Sequence, residues 1–311
     1  MPVKIVFMGT PEFSVPSLEA LHAAGHDLVL VVTQPDRPKG RGRRIKPPPV
    51  KKAAQKLGLA VIQPDTLRDE KVLERLSSTE ADFFIVVAFG QLLRETVLKM
   101  PKRACINVHA SLLPKYRGPA PIHWAVINGE KETGITTMLM DKGLDTGDML
   151  MTAREAIADT DTAGSLHDRL AQSGAALLIR TLDAFAGGTI QRIPQDHSLA
   201  TYAPLLKKTD GLIDWKKPAI RIEPFIRGMC PWPGAFTFWK NVRLKIFKAK
   251  AAAMTTTAAP GTVLDGGAGG LTVATGEGAL TILEIQGASG SRLPAAEFLR
   301  GCRIVPGEVL T

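Results

Sequence analysis

Cysteine is scarce in this 311-residue sequence, and the three that occur (Cys105, Cys230, Cys302) lie far apart with no CxxC. That excludes a disulfide framework and a cysteine zinc site, and leaves buried free thiols in a reducing cytosol as the reading. No uninterrupted apolar run reaches the roughly 20 residues that a membrane-spanning helix needs. Residues 1–7 have neither the basic stretch nor the long apolar core of a secretory leader, so none is expected and the location expected is cytoplasmic. The motifs GxxxxGK[ST], HExxH and GxSxG do not occur, and Gly9-Thr10-Pro11 lacks the further glycines of a dinucleotide fingerprint. His22 and His26 are four apart, but Gly25 ends the helix between them and no Cys or third His is near, so no metal is expected.

What is present is positive charge, unevenly placed. The formal net charge is +9. Segment 35–52, PDRPKGRGRRIKPPPVKK, holds 8 basic side chains against Asp36 alone, and residues 206–311 carry 14 basic and 8 acidic side chains. Without the basic segment, residues 1–205 have 17 basic and 21 acidic side chains. A concentrated basic loop and a basic C-terminal third on an acidic body suit a phosphate-rich partner. A solvated charged surface produces the same totals.

Along the chain, short apolar runs alternate with helical spacing. Strands are expected at 4–8, 28–32, 59–63, 83–88, 104–109, 135–140 and 149–153. Helices are expected at 15–24, 50–57, 66–76 (Thr66 as N-cap), 92–98, 119–128 and 162–185. This tempo predicts an α/β fold, a Rossmann-like doubly wound and mostly parallel sheet, over residues 1–188. Residues 189–208 read as a linker. Beyond them, five strand-like runs separated by glycine clusters, with one short helix at 294–300, predict a small OB-like β-barrel over residues 209–311.

One stretch concentrates chemistry. Asn107 and His109 stand two apart at the end of an expected strand, so their side chains share a face where open α/β sheets bind ligands. An amide can hold a developing oxyanion, and an imidazole can donate or carry a proton. Downstream, the glycine-hinged loop 140–148 contains Asp141, Asp145 and Asp148, and one of these carboxylates could orient the imidazole. Each residue alone also has a structural reading: Asn107 as a turn cap, His109 as a satisfied buried histidine, the acidic loop as a turn. Together they point to acyl or one-carbon transfer, or another reaction through a charged tetrahedral species.

The run Asn107-Val108-His109-Ala110-Ser111-Leu112-Leu113-Pro114, followed by Tyr116-Arg117-Gly118-Pro119-Ala120-Pro121-Ile122, closely resembles the signature of formyltransferases that use 10-formyltetrahydrofolate. Gly143-Leu144-Asp145-Thr146-Gly147 resembles the same family's aspartate loop. Residues 7–13, the basic segment 33–42, and the stretches 202–208, 213–215 and 231–234 resemble the branch whose acceptor is methionyl-initiator tRNA. One departure is visible: Phe89-Gly90 stands where that family carries Tyr-Gly.

The resemblance implies formyl transfer from 10-formyltetrahydrofolate, as co-substrate, to methionyl-initiator tRNA, with Asn107, His109 and Asp145 as the catalytic trio. It assigns Ser111, Leu112, Leu113, Pro114, Phe89, Gly90 and Asp141 to the folate site. Arg41, Arg43, Arg44 and Lys46 in the basic loop, with the C-terminal barrel, are implied in tRNA binding. Nothing in the sequence demands more than a monomer. A nucleotide or sugar amine as acceptor, and a non-catalytic RNA-binding protein, are the alternatives.

Overall fold

The computed structural model describes residues 2–39, 44–252, 254–267 and 269–311; at Lys39 and Arg44 it describes the backbone alone. The chain divides into two compact units. The first comprises Met1–Pro121, Glu132–Ala156 and His167–Ala203, the second Ile122–Lys131, Ile157–Leu166 and Pro204–Thr311.

The first unit carries strands β1 (Lys4–Gly9), β2 (Asp27–Val32), β3 (Arg37–Lys39), β4 (Arg44–Lys46), β5 (Val61–Ile62), β6 (Phe83–Val87), β7 (Ala104–His109), β8 (Glu132–Leu139) and β9 (Met149–Ala156). Helices α1 (Val15–Ala23), α2 (Pro49–Lys56), α3 (Glu70–Ser77) and α4 (Glu95–Leu98) belong to it, while α5 (Pro121–Ile127) falls in the second unit after its first residue and α6 (Ala163–Ala186) belongs to the first unit from His167 onward. Seven strands form one sheet in the order β5-β2-β1-β6-β7-β8-β9. The first five are parallel; β8 and β9 each run antiparallel to the preceding strand. All five residues of β6, Phe-Phe-Ile-Val-Val, are buried, as expected of a strand covered on both faces. Leu166, Leu170, Leu177, Leu178 and Leu182 recur at helical spacing along α6 and are buried. Gly174 lets this helix approach the sheet closely, since a Cβ there would stand 3.1 Å from Val108 Cγ1.

Three expectations are corrected. α3 begins at Glu70 rather than near Thr66, because Asp69 is the N-cap: its carboxylate accepts from the backbone N–H of Lys71 and of Val72. The basic segment is not merely a loop, since β3 and β4 pair as a short antiparallel hairpin with Arg37 opposite Lys46 and Lys39 opposite Arg44. Its base is anchored at Asp36, which accepts from Lys51 Nζ (2.9 Å) and Gln63 Nε2 (2.7 Å). These hydrogen bonds, Gln63's first, hold the Asp36 carboxyl below its ordinary pKa. Residues 189–203 do not form a free linker but belong to the first unit, where Ile193 bridges Met149 and Tyr202 bridges Arg117.

The second unit contains α7 (Ala219–Gly228), β10 (Ala235–Trp239), β11 (Val242–Ala252), β12 (Val263–Gly267), β13 (Gly270–Ala274), β14 (Ala279–Gln286), β15 (Leu293–Pro294) and α8 (Ala295–Gly301). The strands form a six-stranded antiparallel sheet, order β10-β11-β14-β13-β12, with β15 on β14. Leu244, Ile246, Val263, Leu271, Val273, Leu280, Ile282 and Ile285 are its buried residues. The C-terminal tail joins the two outer strands. Thr311 and Phe238 of β10 exchange backbone hydrogen bonds of 2.7 and 2.9 Å, while Val263 of β12 donates to Glu308 O and accepts from Gly307 N. The tail thus satisfies edge groups on both sides and gives the sheet its barrel-like continuity. At the crossing only glycine serves: Gly261 has φ +89°, and a Cβ there would stand 2.3 Å from Leu310 O. Helix α7 was not expected from sequence; Pro224 in its interior interrupts the helical signal.

Candidate active site

Strand β7 fixes the first two groups. Asn107 and His109 point from the same face, Asn107 half-buried and the His109 side chain 7% exposed. The third group comes from the connection between β8 and β9. Because β8 runs antiparallel to β7, this connection leaves the sheet beside Cys105, where Met140 N donates to Cys105 O, and it carries Asp145 back to Asn107. Asn107 Nδ2 donates to Asp145 Oδ1 at 3.3 Å. Asp145 Oδ2 accepts from the backbone N–H of Gly118 at 2.8 Å and lies 3.7 Å from His109 Nδ1. That separation is an ion-pair distance and too long for a hydrogen bond.

The imidazole is held from its other side. His109 Nε2 is 2.9 Å from the carbonyl oxygen of Tyr116, which can only accept, so the proton is on Nε2. Nδ1 therefore faces the side of the ring shared with Asp145. Tyr116 (φ +59°), Gly118 (φ +110°) and Asp145 (φ +52°) all lie in the left-handed region, so the backbone is bent wherever it touches this pair.

Sequence reading missed what holds the aspartate loop. Gln195 Nε2 donates to both Asp145 O (2.9 Å) and Gly147 O (2.7 Å), and Gln195 Oε1 accepts from Arg117 Nε and Nη2. Gln195 falls in the stretch that reads as a linker, and Arg117 falls in a motif whose resemblance implies no role for it. A lone polar residue following a single proline, Pro194, gives no periodic signal. Asp141, expected at the folate, is exposed and organises the loop from its other end, Oδ1 accepting from Gly143 N and Thr146 Oγ1.

The remaining expected residues fall as follows. Ser111 is fully buried, and its hydroxyl donates to Lys115 O at 2.6 Å, closing the turn that carries Leu113 (buried), Leu112 and Pro114 (both half-buried). Phe89 is 2% exposed, its ring packed in the apolar cluster with Leu67, Leu93 and Val97, and its carbonyl accepts from Thr10 Oγ1. A ring in that environment needs no hydroxyl, which accounts for Phe in place of Tyr. Gly90 is exposed with φ +84°. Lys46 is exposed on β4, and Arg44 lies on the same strand. Arg41 and Arg43 lie outside the described residues.

Residues 3–182 match the family described as formyl transferase, and residues 205–303 match the formyl transferase C-terminal domain. The chain is 50% identical over 308 residues to the methionyl-tRNA formyltransferase of Citrifermentans bemidjiense, covering 99% of this chain and 96% of the relative. It is 51% identical over 309 residues to that of Pelotomaculum thermopropionicum, covering 99% and 98%. Among solved structures it resembles WlaRD, a sugar 3N-formyltransferase solved in the presence of dTDP and 5-N-formyl-THF. The TM-score is 0.69 at 19% identity, over 94% of this chain and 100% of the other, a likeness of fold. With both halves of the chain matched and full-length relatives at half identity, this protein belongs to the formyl transferase family.

Proposed function

We propose that this enzyme transfers the formyl group of 10-formyltetrahydrofolate to the amino group of methionyl-initiator tRNA, yielding formyl-methionyl-tRNA for translation initiation. The observation that carries the reading is that one loop carboxylate, Asp145, meets both an amide and an imidazole from one face of β7, with Asn107 Nδ2 at 3.3 Å and His109 Nδ1 at 3.7 Å. The full-length relatives that bear the name methionyl-tRNA formyltransferase support the choice of acceptor.

The residues at hand fit a folate. The turn at residues 111–114 spends its one polar side chain internally, so it offers apolar surface from Leu112 and Pro114, while Gly90 and Asp141 offer exposed polar groups. Bound folate supplies the formyl carbon. Around that carbon, Asn107 keeps one Nδ2 hydrogen beyond the one given to Asp145, and a protonated His109 presents Nδ1–H. Both donors serve the oxygen on which negative charge develops, each worth about 3 kcal/mol of barrier. Asp145 orients the imidazole and takes the proton released as the neutral amine bonds to carbon, directly or through water. The bond from the formyl carbon to the folate nitrogen N10 then breaks, and the proton passes to N10, so that tetrahydrofolate leaves.

The tRNA reading rests on charge. In the hairpin, Arg37 stands opposite Lys46, a pairing of like charge that is unfavourable alone and that a polyanion relieves. We assign Arg41, Arg43, Arg44 and Lys46 to phosphate contacts, and the basic C-terminal unit to salt-sensitive, sequence-independent affinity. We also read the protein as a cytoplasmic monomer. The test is incubation with 10-formyltetrahydrofolate and three amine acceptors in parallel: charged initiator tRNA, a nucleotide amine and a sugar amine. Formyl-methionine on the tRNA alone is expected; turnover on another acceptor, or RNA binding without turnover, overturns the reading.

A further inference from the structure

Among the described residues, Arg117 heads the largest fully buried side chains, at 2% exposed. Burying a guanidinium is costly unless its donors are used. Its guanidinium is met by neutral groups: Gln195 Oε1 accepts from Nε (3.1 Å) and Nη2 (2.7 Å), and His197 Nδ1 accepts from Nη2 at 3.1 Å. The pairing with Gln195 is two-pronged and orients the amide, so that Gln195 Nε2 faces the carbonyls of Asp145 and Gly147.

We propose that Arg117 and Gln195 are positioning residues for formyl transfer, acting through Asp145, an inference that rests on the function proposed above. Asp145 is a non-glycine residue at φ +52°, a conformation that costs about 1–3 kcal/mol and persists only where neighbours over-determine it. Two donations from one buried amide, to the carbonyl of Asp145 and the carbonyl two residues on, supply that constraint. The same arginine sits between the residue whose carbonyl holds His109 Nε2 (Tyr116) and the residue whose N–H holds Asp145 Oδ2 (Gly118). One buried side chain thus fixes the backbone on both sides of the His109–Asp145 pair.

Arg117→Ala would empty a buried site and endanger the fold, so the test uses Gln195. Gln195→Glu keeps the acceptor for Arg117 and removes both donations to the loop; Gln195→Met removes both functions. Single-turnover formylation of methionyl-tRNA, with excess enzyme, is read for each variant alone and combined with Asp145→Asn. The expected result is a transfer rate lower by about 10–100-fold, the scale of an ångström-sized misplacement. KM for both substrates should stay within about twofold. In the Asp145→Asn background, Gln195→Glu should add less than about twofold, because its effect travels through that carboxylate. A rate within about twofold of wild type, a loss confined to KM, or losses that multiply fully in the double variant would overturn the proposal. A wild-type chain that formylates no methionyl-tRNA removes the function and this inference together, and is told apart from the network's own failure because it appears without any substitution.

Discussion

Two segments of the first unit, the aspartate loop at residues 140–148 and the basic hairpin at residues 37–46, show opposite ways of preparing for a reaction. In the loop every turn is held by the protein itself: Asp141 accepts from Gly143 and Thr146, Gln195 donates to Asp145 and Gly147, and Asn107 and Gly118 grip the carboxylate. The hairpin sets Arg37 opposite Lys46 and is anchored at its base, where Arg37 donates to Gln34 and Asp36 is held by Lys51 and Gln63. Ile45, in the middle of β4, is 72% exposed. The contrast teaches that the chemistry is preorganised, which is where electrostatic stabilisation gains most, while recognition of a polyanion leaves favourable contacts for the partner to supply.

Substitutions can break this contrast at either end. His109→Ala should have the largest effect, lowering kcat by about 10²–10³-fold with the folded state intact by circular dichroism. Near-normal turnover would remove the imidazole from the mechanism. Phe89→Ala tests the first unit's apolar cluster and should cost about 3–5 kcal/mol of stability in denaturant unfolding, since the ring is buried within it. Arg41→Ala and Lys46→Ala should lower kcat/KM for methionyl-tRNA and leave folate affinity unchanged. Each should also reduce the slope of log affinity against log salt by about 1; equal loss toward both substrates would erase the distinction between the two segments. The smallest effect concerns Cys105, which lies on β7 two residues before Asn107. Burial pushes its thiol up to about 12, so near neutral pH a thiol-alkylating reagent should leave it unlabelled in the native protein. Rapid labelling would mean that β7 opens.

Much of this was legible because it is periodic or local. Strand β6 reads as buried from five consecutive apolar residues, and the spacing of Asn107 and His109 on β7 places them on one face before any coordinates exist. Asp145 was legible as a member of a glycine-hinged loop. Its route to the histidine was not, because alternating strands and helices do not reveal that β8 turns antiparallel. Gln195 was illegible for a different reason: its role depends on two backbone carbonyls some fifty residues away in sequence. Helix α7 was hidden by Pro224, and the hairpin by residues that ordinarily mark loops.

The account rests most heavily on the charge of Asp145, which Asp145→Asn removes while keeping the side chain's shape. The single-turnover rate of formyl transfer to methionyl-tRNA by this variant, measured beside wild type, is the most direct test. A fall on the order of 10²–10³-fold with unchanged thermal unfolding is predicted. A rate near that of wild type would contradict the assignment of this carboxylate to the reaction.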